Sequence, residues 1–182
     1  RRAARIRYAG WMTRGGLAVL AVTLPIVLCP VPVTSLAQDD VRPPAVAGTF
    51  YPSDRDELAR AVDALLDVPV PSDEPAPKAL IVPHAGYVYS GPTAGIAYAR
   101  LKRLRGAISR VVVLGPAHRV WVDGFAVSSA DAFATPLGAV PVDNELRRRA
   151  LVLPQVRIGD RAHADEHAIE VQLPFLQRVL GD

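Results

Sequence analysis

Two short apolar runs, each halted by proline and each followed closely by histidine, constrain this chain most. Ala79–Val82 (ALIV) stops at Pro83 and leads to His84, while Val111–Leu114 (VVVL) stops at Gly115-Pro116 and leads to His118. Four apolar residues bounded by breakers read as a buried strand, because a helix needs about ten residues and proline disfavours its continuation. Between the runs, from Pro92 to about Leu104, Ile96, Ala97, Leu101 and Leu104 recur on one helical side, with proline near the start. Strand, helix and strand in that order predict a parallel βαβ unit with a right-handed crossover. The expected fold class is therefore α/β: a layered sheet with a parallel βαβ core flanked by helices.

The remaining elements follow the same logic. Ala45–Pro52 (AVAGTFYP) reads as a strand or turn, and Ser53 is placed to cap a helix with Asp56 three residues on. Leu58, Val62, Leu65 and Leu66 continue it at helical spacing. Val68–Lys78 carries four prolines and reads as an exposed connection. Phe125–Val127 and Ala139–Val142 read as further strands. Asp143 caps a short helix through Ala150, and a last helix is expected over about Asp165–Leu180 despite Pro174.

Charge has to be located before it is interpreted. The chain of 182 residues has a net charge of +3, but its first 37 residues hold five arginines and no acid. With those five removed from the 21 basic residues, 16 remain against 18 acidic ones. The body is thus mildly acidic, and a nucleic-acid partner is not expected; Arg147–Arg149 reads as a solvated face. Arginines, then the apolar stretch Leu17–Val33, then Ser35-Leu36-Ala37, follow the order of a secretory signal peptide. Pro25, Pro30 and Pro32 argue against a spanning helix, although an uncleaved anchor or a reading-frame artefact are alternatives. The expectation is a leader over residues 1–37, export to the periplasm or beyond, and membrane contact only through an uncleaved leader. A reading-frame artefact would leave the protein cytoplasmic. The single cysteine, Cys29, falls in that leader, so the body has neither disulfide nor thiolate ligand.

The four histidines of the body carry its chemistry. Parallel strands put their C-terminal ends on one side of a sheet, where open α/β sheets hold ligands. His84 and His118 are thereby expected to converge, either on a shared metal or as separate caps of their strands. A third cluster holds His163, Asp165, Glu166, His167 and Glu170. His163 to His167 fits the H-x-x-E-H pattern of some zinc peptidases, with Glu166 as base. On a helix, His167 and Glu170 would instead share a face as proton carrier and orienting carboxylate. The bland reading is an acid-rich first helical turn. Tyr87 and Tyr89, in the glycine-bearing loop His84–Gly91, are placed to bond a substrate or to cover the sheet edge.

AVAGTFYP, PHAGYVYSG (Pro83–Gly91), LGPAH (Leu114–His118), TPLG (Thr135–Gly138) and EHAIEVQLPF (Glu166–Phe175) occur together and in order. In this the chain resembles the Memo-like family, whose bacterial members are labelled AmmeMemoRadiSam system protein B. The resemblance runs from about Val41 to the end. It implies a fold similar to the class III extradiol dioxygenases, with His84 and His118 as ligands of iron or copper and His167 and Glu170 as pocket residues. It also implies a third ligand, a cysteine in a later segment, so residues 38–182 are expected to be the front part of a longer domain. The function implied is metal binding with a non-haem iron or copper oxidoreductase activity on an unidentified small molecule. A non-catalytic metal-binding or redox-buffering protein is the alternative, and a zinc peptidase built on His163 and His167 is a remote third.

Overall fold

The structure is a computed structural model describing residues 40–181 other than Ser72 and Glu74. The leader expected over residues 1–37, with Cys29, lies outside the described residues. In chain order the elements are β1 (Val41–Arg42), α1 (Arg55–Leu66), α2 (Tyr87–Ala99), a single 3-10 turn (Lys102–Leu104), β2 (Phe125–Val127), β3 (Ala132–Thr135) and β4 (Gly138–Pro141). They continue with α3 (Asn144–Ala150), β5 (Val156–Ile158), α4 (Asp160–Ala164), a second 3-10 turn (Glu170–Gln172) and α5 (Leu173–Leu180). The class is mixed α/β. Among the described residues no helix is long and apolar enough to cross a membrane.

Three helices make the core. The cap of α1 is Asp54, one residue later than the expected Ser53, and its carboxylate accepts the Glu57 amide at 2.8 Å. Leu58, Val62 and Leu66 then form the buried stripe that the spacing predicted. Helix α2 departs further from expectation. It begins at Tyr87, not near Pro92, because the Tyr87 amide is held by the Phe50 carbonyl (2.8 Å) and the ring is buried. Its inward stripe is Tyr87, Gly91, Ala94, Gly95 and Tyr98, whereas Ile96, expected inside, is half exposed. Small residues there allow α1 to approach closely. A Cβ on Gly95 would lie 2.2 Å from the Leu65 carbonyl oxygen, and one on Gly91 would lie 2.8 Å from Leu65 Cδ1. Helix α5 completes the layer through Phe175, whose ring stacks on Tyr98 (5.1 Å, 8°) and tilts against Tyr87 (5.0 Å).

The sheets are small. β1 runs parallel to β3, and β3 forms an antiparallel hairpin with β4, turning between Thr135 and Gly138. β2 pairs in parallel with β5. Thus Phe125–Val127 is a strand as expected, and the strand expected at Ala139–Val142 is found as Gly138–Pro141. The parallel βαβ ladder expected between Ala79–Val82 and Val111–Leu114 is not seen; neither run joins a ladder among the described residues. The reading of both as fully buried is corrected as well. Leu80 and Val82 pack on the helical core, but Ile81 is fully exposed and Val112 and Leu114 are each 75% exposed. Ala79–Val82 is covered on one side only, and in Val111–Leu114 only Val113 is partly buried. A short apolar run signals a wish for burial and does not say whether one face or two will be met.

The C-terminal region also differs from its expected single helix. Asp143 caps α3 as predicted, accepting the Leu146 amide at 2.9 Å. Residues 165–169, however, are not helical, and Pro174 sits in the first turn of α5, where proline is tolerated.

The close approach of α1 and α2 yields a direct test. Alanine normally favours a helix over glycine by about 1 kcal/mol. At Gly95 the new methyl would meet a backbone oxygen that cannot rotate away. Gly95→Ala should therefore destabilise the full-length protein by roughly 1–3 kcal/mol, read as a lower melting temperature, while Ile96→Ala should shift it little. A Gly95→Ala variant that melts at or above the parent would contradict this packing.

Candidate metal centre

The site is built on a buried knot behind it. The Arg42 guanidinium pairs with the Glu170 carboxylate, and both side chains are almost wholly shielded from solvent. Glu170 also accepts the amides of Ala45 (2.8 Å) and Val46 (3.0 Å) and the Tyr51 hydroxyl (2.5 Å). Arg42 donates onward to the carbonyls of His163 (2.7 Å) and Glu166 (2.7 Å). Desolvation first, and then the Glu170 carboxylate, raise the Tyr51 hydroxyl far above its ordinary value, so it stays a donor. The lead-in through β1 is thereby fastened to residues 163–170. This corrects the expected role of Glu170. Its carboxylate is spent on the knot and does not orient His167.

That orienting role falls to Glu166, four residues earlier. Its carboxylate accepts the His118 amide (2.5 Å) and lies 2.9 Å from His118 Nδ1. It also accepts the amides of His167 (2.8 Å) and Ala168 (2.9 Å), and His167 Nδ1 lies 3.2 Å away. By satisfying its own neighbours' N–H groups, Glu166 competes with helix formation, which accounts for the break before the 3-10 turn. Burial alone would raise this carboxyl and is the largest single influence. The hydrogen bonds from His118, Ala168 and His167 together outweigh it and hold Glu166 at about 2. An ionised carboxylate only accepts, so His118 Nδ1 is the donor in this contact.

His84, His118 and His167 meet here. Each offers a ring nitrogen, and these three atoms lie within 4.8 Å of one another. The rings of His118 and His167 stack at 4.6 Å and 21°, and His84 stands 5.2 Å and 5.8 Å from them. The expected convergence of His84 and His118 is found, and His167 brings a third ring nitrogen to the same place. Burial pushes the His167 imidazole below its ordinary value; Glu166 opposes this, and His118, His84 and Arg119 add to it. Neutral His167 is the state that can ligate a metal. The donor set, three imidazoles with one carboxylate behind two of them, fits a first-row transition metal and not calcium or magnesium, which take oxygen ligands.

Beside the cluster lies an open recess of about 570 Å³ bounded by Phe50, Pro83, Tyr89 and the rings of His84 and His167. The Phe50 ring packs on His167 at 4.7 Å. Of the two tyrosines expected in a pocket, Tyr89 borders this recess. Tyr87 does not: its ring is core and its hydroxyl donates to the Val171 carbonyl (2.9 Å). His163 is also apart, with Nε2 at the Ala126 carbonyl (3.1 Å) and its ring edge-on to Phe133. The zinc-peptidase arrangement of His163 with His167 is thus not formed. Glu166 was readable only as that motif's base. Its actual service to two histidines depends on a contact 48 residues away, which no local pattern carries.

Comparison with known proteins gives a consistent picture. The family model for Memo-like protein matches residues 42–182. A MEMO1 family protein of Aquifex aeolicus is 48% identical over 138 residues, 76% of this chain and 50% of the relative. Similar proteins of Ignicoccus hospitalis (44% identical) and Methanopyrus kandleri (41%) each match 78% of this chain and 53% of their own length. The chain spans about half the length of these curated relatives.

Two carboxylates four residues apart therefore predict different phenotypes. Glu170→Ala, which leaves Arg42 buried without its partner, should cost about 3–5 kcal/mol in denaturant titrations; a loss below about 1 kcal/mol would mean the knot is not structural. Glu166 behaves differently because its folded value is depressed from 4.5 to about 2. Its charge stabilises the fold fully above pH 4.5 and loses that effect as pH falls towards 2. In metal-free protein the stability gap between parent and Glu166→Gln should be widest at neutral pH and should close through that window. A gap constant from pH 7 to pH 2.5 would remove ionised Glu166 as the cause.

Proposed function

Because the chain belongs to the Memo-like protein family, we propose that it forms the metal-binding half of a Memo-like oxidoreductase, with His84, His118 and His167 as the resident ligands. The observation that carries this reading is the convergence of three ring nitrogens within 4.8 Å from three separate segments of the chain. Three imidazole ligands would leave coordination positions of a metal free for other ligands, the requirement of a non-haem iron or copper site that acts on small molecules. When bound, such a metal would supply electron transfer. The chain's own residues do the rest. Glu166 fixes the orientation of His118 and backs His167. Phe50 covers one side of the His167 ring. Iron or copper is the expected metal by resemblance to the family.

The proposal extends to the fold of the whole protein. Ala79–Val82 and Val111–Leu114 alternate or expose apolar side chains in the manner of strands awaiting cover on a second face. We place them as adjacent parallel strands of a layered sheet similar to the class III extradiol dioxygenases. His84 and His118 then leave the same edge of that sheet.

Metal analysis of full-length protein tests the centre. The parent should carry close to one transition-metal ion per chain, and His84→Ala, His118→Ala and His167→Ala should each lose most of it while keeping the parent's circular dichroism. Full metal retention in all three variants would remove the site. Oxygen uptake with a panel of phenolic compounds then separates function from storage: metal-loaded protein that consumes none is a metal-binding or redox-buffering protein.

A further inference from the structure

The three rings of the cluster are not held alike. Glu166 accepts from His118 Nδ1 (2.9 Å) and lies 3.2 Å from His167 Nδ1, so a carboxylate directs both of those rings. The His84 ring has no hydrogen-bond partner among the described residues. An imidazole that binds metal normally has its other nitrogen bonded by a neighbour that orients it. His84 therefore takes its place from its backbone.

That backbone is held on both sides. The Pro83 carbonyl, just before His84, accepts from Gln172 Nε2 at 3.1 Å. The Ala85 carbonyl, just after it, accepts from Ser90 Oγ at 2.7 Å. Both side chains are buried. Pro83 fixes its own φ, and the Tyr87 amide is tied to the Phe50 carbonyl at 2.8 Å.

Neither bond is one that its own element requires. A helical serine ordinarily returns its hydroxyl to the carbonyl three or four residues back. Ser90 meets that carbonyl, of Gly86, only at 3.4 Å, and its short bond goes five residues back, to Ala85. The Gly86 carbonyl is already taken by the amides of Tyr89 (2.9 Å) and Ser90 (3.1 Å). Gln172 is an amide in a run of buried apolar residues that includes Val171, Leu173 and Phe175. An apolar side chain of similar size would fill that space without taking a polar group out of water. The direction of the amide is set from behind. Tyr98 donates its hydroxyl to Gln172 Oε1 at 2.9 Å, and burial raises that hydroxyl well above its ordinary value, so it stays protonated. With Oε1 engaged by a donor, Nε2 is the end that meets Pro83, whose carbonyl only accepts.

We propose that Gln172 and Ser90 are positioning residues for His84: they grip the carbonyls on either side of it, so that its ring reaches the cluster at one place. The purpose given to that place rests on the metal-centre reading, whereas the grip itself does not.

Full-length protein, freed of metal and titrated with cobalt(II), tests this. Gln172→Met keeps the length of the side chain and loses its bonds to Pro83 and Tyr98, and Ser90→Ala loses the other grip. Each should weaken cobalt binding about tenfold, as loss of an outer partner of a metal ligand does, and shift the visible cobalt bands. In metal-free protein each should also move the His84 Cε1 proton resonance, identified by its absence in His84→Ala. Tyr87→Phe is the control. It removes a buried hydroxyl bond to the Val171 carbonyl, beside Gln172, and touches neither carbonyl next to His84. It should lower the melting temperature comparably and leave cobalt affinity, bands and resonance at the parent's values. A parent that binds no cobalt, with the resonance moved in Gln172→Met and Ser90→Ala, sinks the metal centre and upholds the grip. Parent affinity, bands and resonance in both variants overturn the grip and leave the centre standing. Equal losses in Tyr87→Phe overturn it too, because the effect would then follow stability alone. If one variant does not fold, the other reads the grip from the opposite side of His84.

Discussion

The buried ion pair of Arg42 and Glu170 is the constraint on which the rest of the structure depends. Removing two charges from water costs several kcal/mol each, and their mutual attraction repays this only if the remaining donors and acceptors are met. They are met here by backbone. Glu170 takes the amides of Ala45 and Val46 and the Tyr51 hydroxyl, while Arg42 serves the carbonyls of His163 and Glu166. No described side chain is left buried and unpartnered. A hydrophobic pair of equal volume would fill the same space, but it would not hold those carbonyls in place. The pair's contribution is position: β1 has only two residues, and the knot fixes where its strand ends and where the histidine-bearing segment begins.

From that knot the site follows by short steps. The Glu166 carbonyl is gripped by Arg42, and its carboxylate is gripped by His118 and by the amides of His167 and Ala168. Held at both ends, Glu166 fixes a non-helical stretch from which the His167 ring reaches His84 and His118. Two carboxylates of the same type and nearly adjacent thus do different work. Glu170 is sealed against the Arg42 cation and is structural, whereas Glu166 faces two imidazoles and fixes their positions. Environment, not residue type, makes the assignment.

How much of this was legible beforehand can be judged residue by residue. His84 and His118 were readable because Pro83 and Gly115-Pro116 stop the chain abruptly, and an abrupt stop gives a side chain a fixed exit. The stripe of α1 was readable because Leu58, Val62 and Leu66 are large and regularly spaced. The stripe of α2 was not, since Gly91, Ala94 and Gly95 carry no hydrophobic signal; they are buried because Leu65 comes close, and that is tertiary information. The strands β3 and β5 are only four and three residues long, too short for a local pattern, and their parallel partners β1 and β2 lie far away in sequence. Glu170 was misassigned by the assumption of an unbroken helix. Once residues 165–169 leave the helix, spacing by three no longer places two side chains on one face.

The three arms of the cluster are supported in different ways. His84 is tied to the core by a relay: Gln172 donates to the Pro83 carbonyl (3.1 Å), and Tyr98, stacked on Phe175, donates to Gln172 (2.9 Å). His167 is backed by Phe50 and by its own amide bond to Glu166. His118 is the most exposed of the three arms and is held by one partner. Its side chain is 39% exposed, its flanking residues are exposed, and only Glu166 bonds it. Gly115 helps by letting the chain press against Ala168, where a Cβ would fall 2.9 Å from the alanine methyl. Two arms are thus backed by packing against the core, and the third, His118, is held through the single carboxylate that links it to the knot.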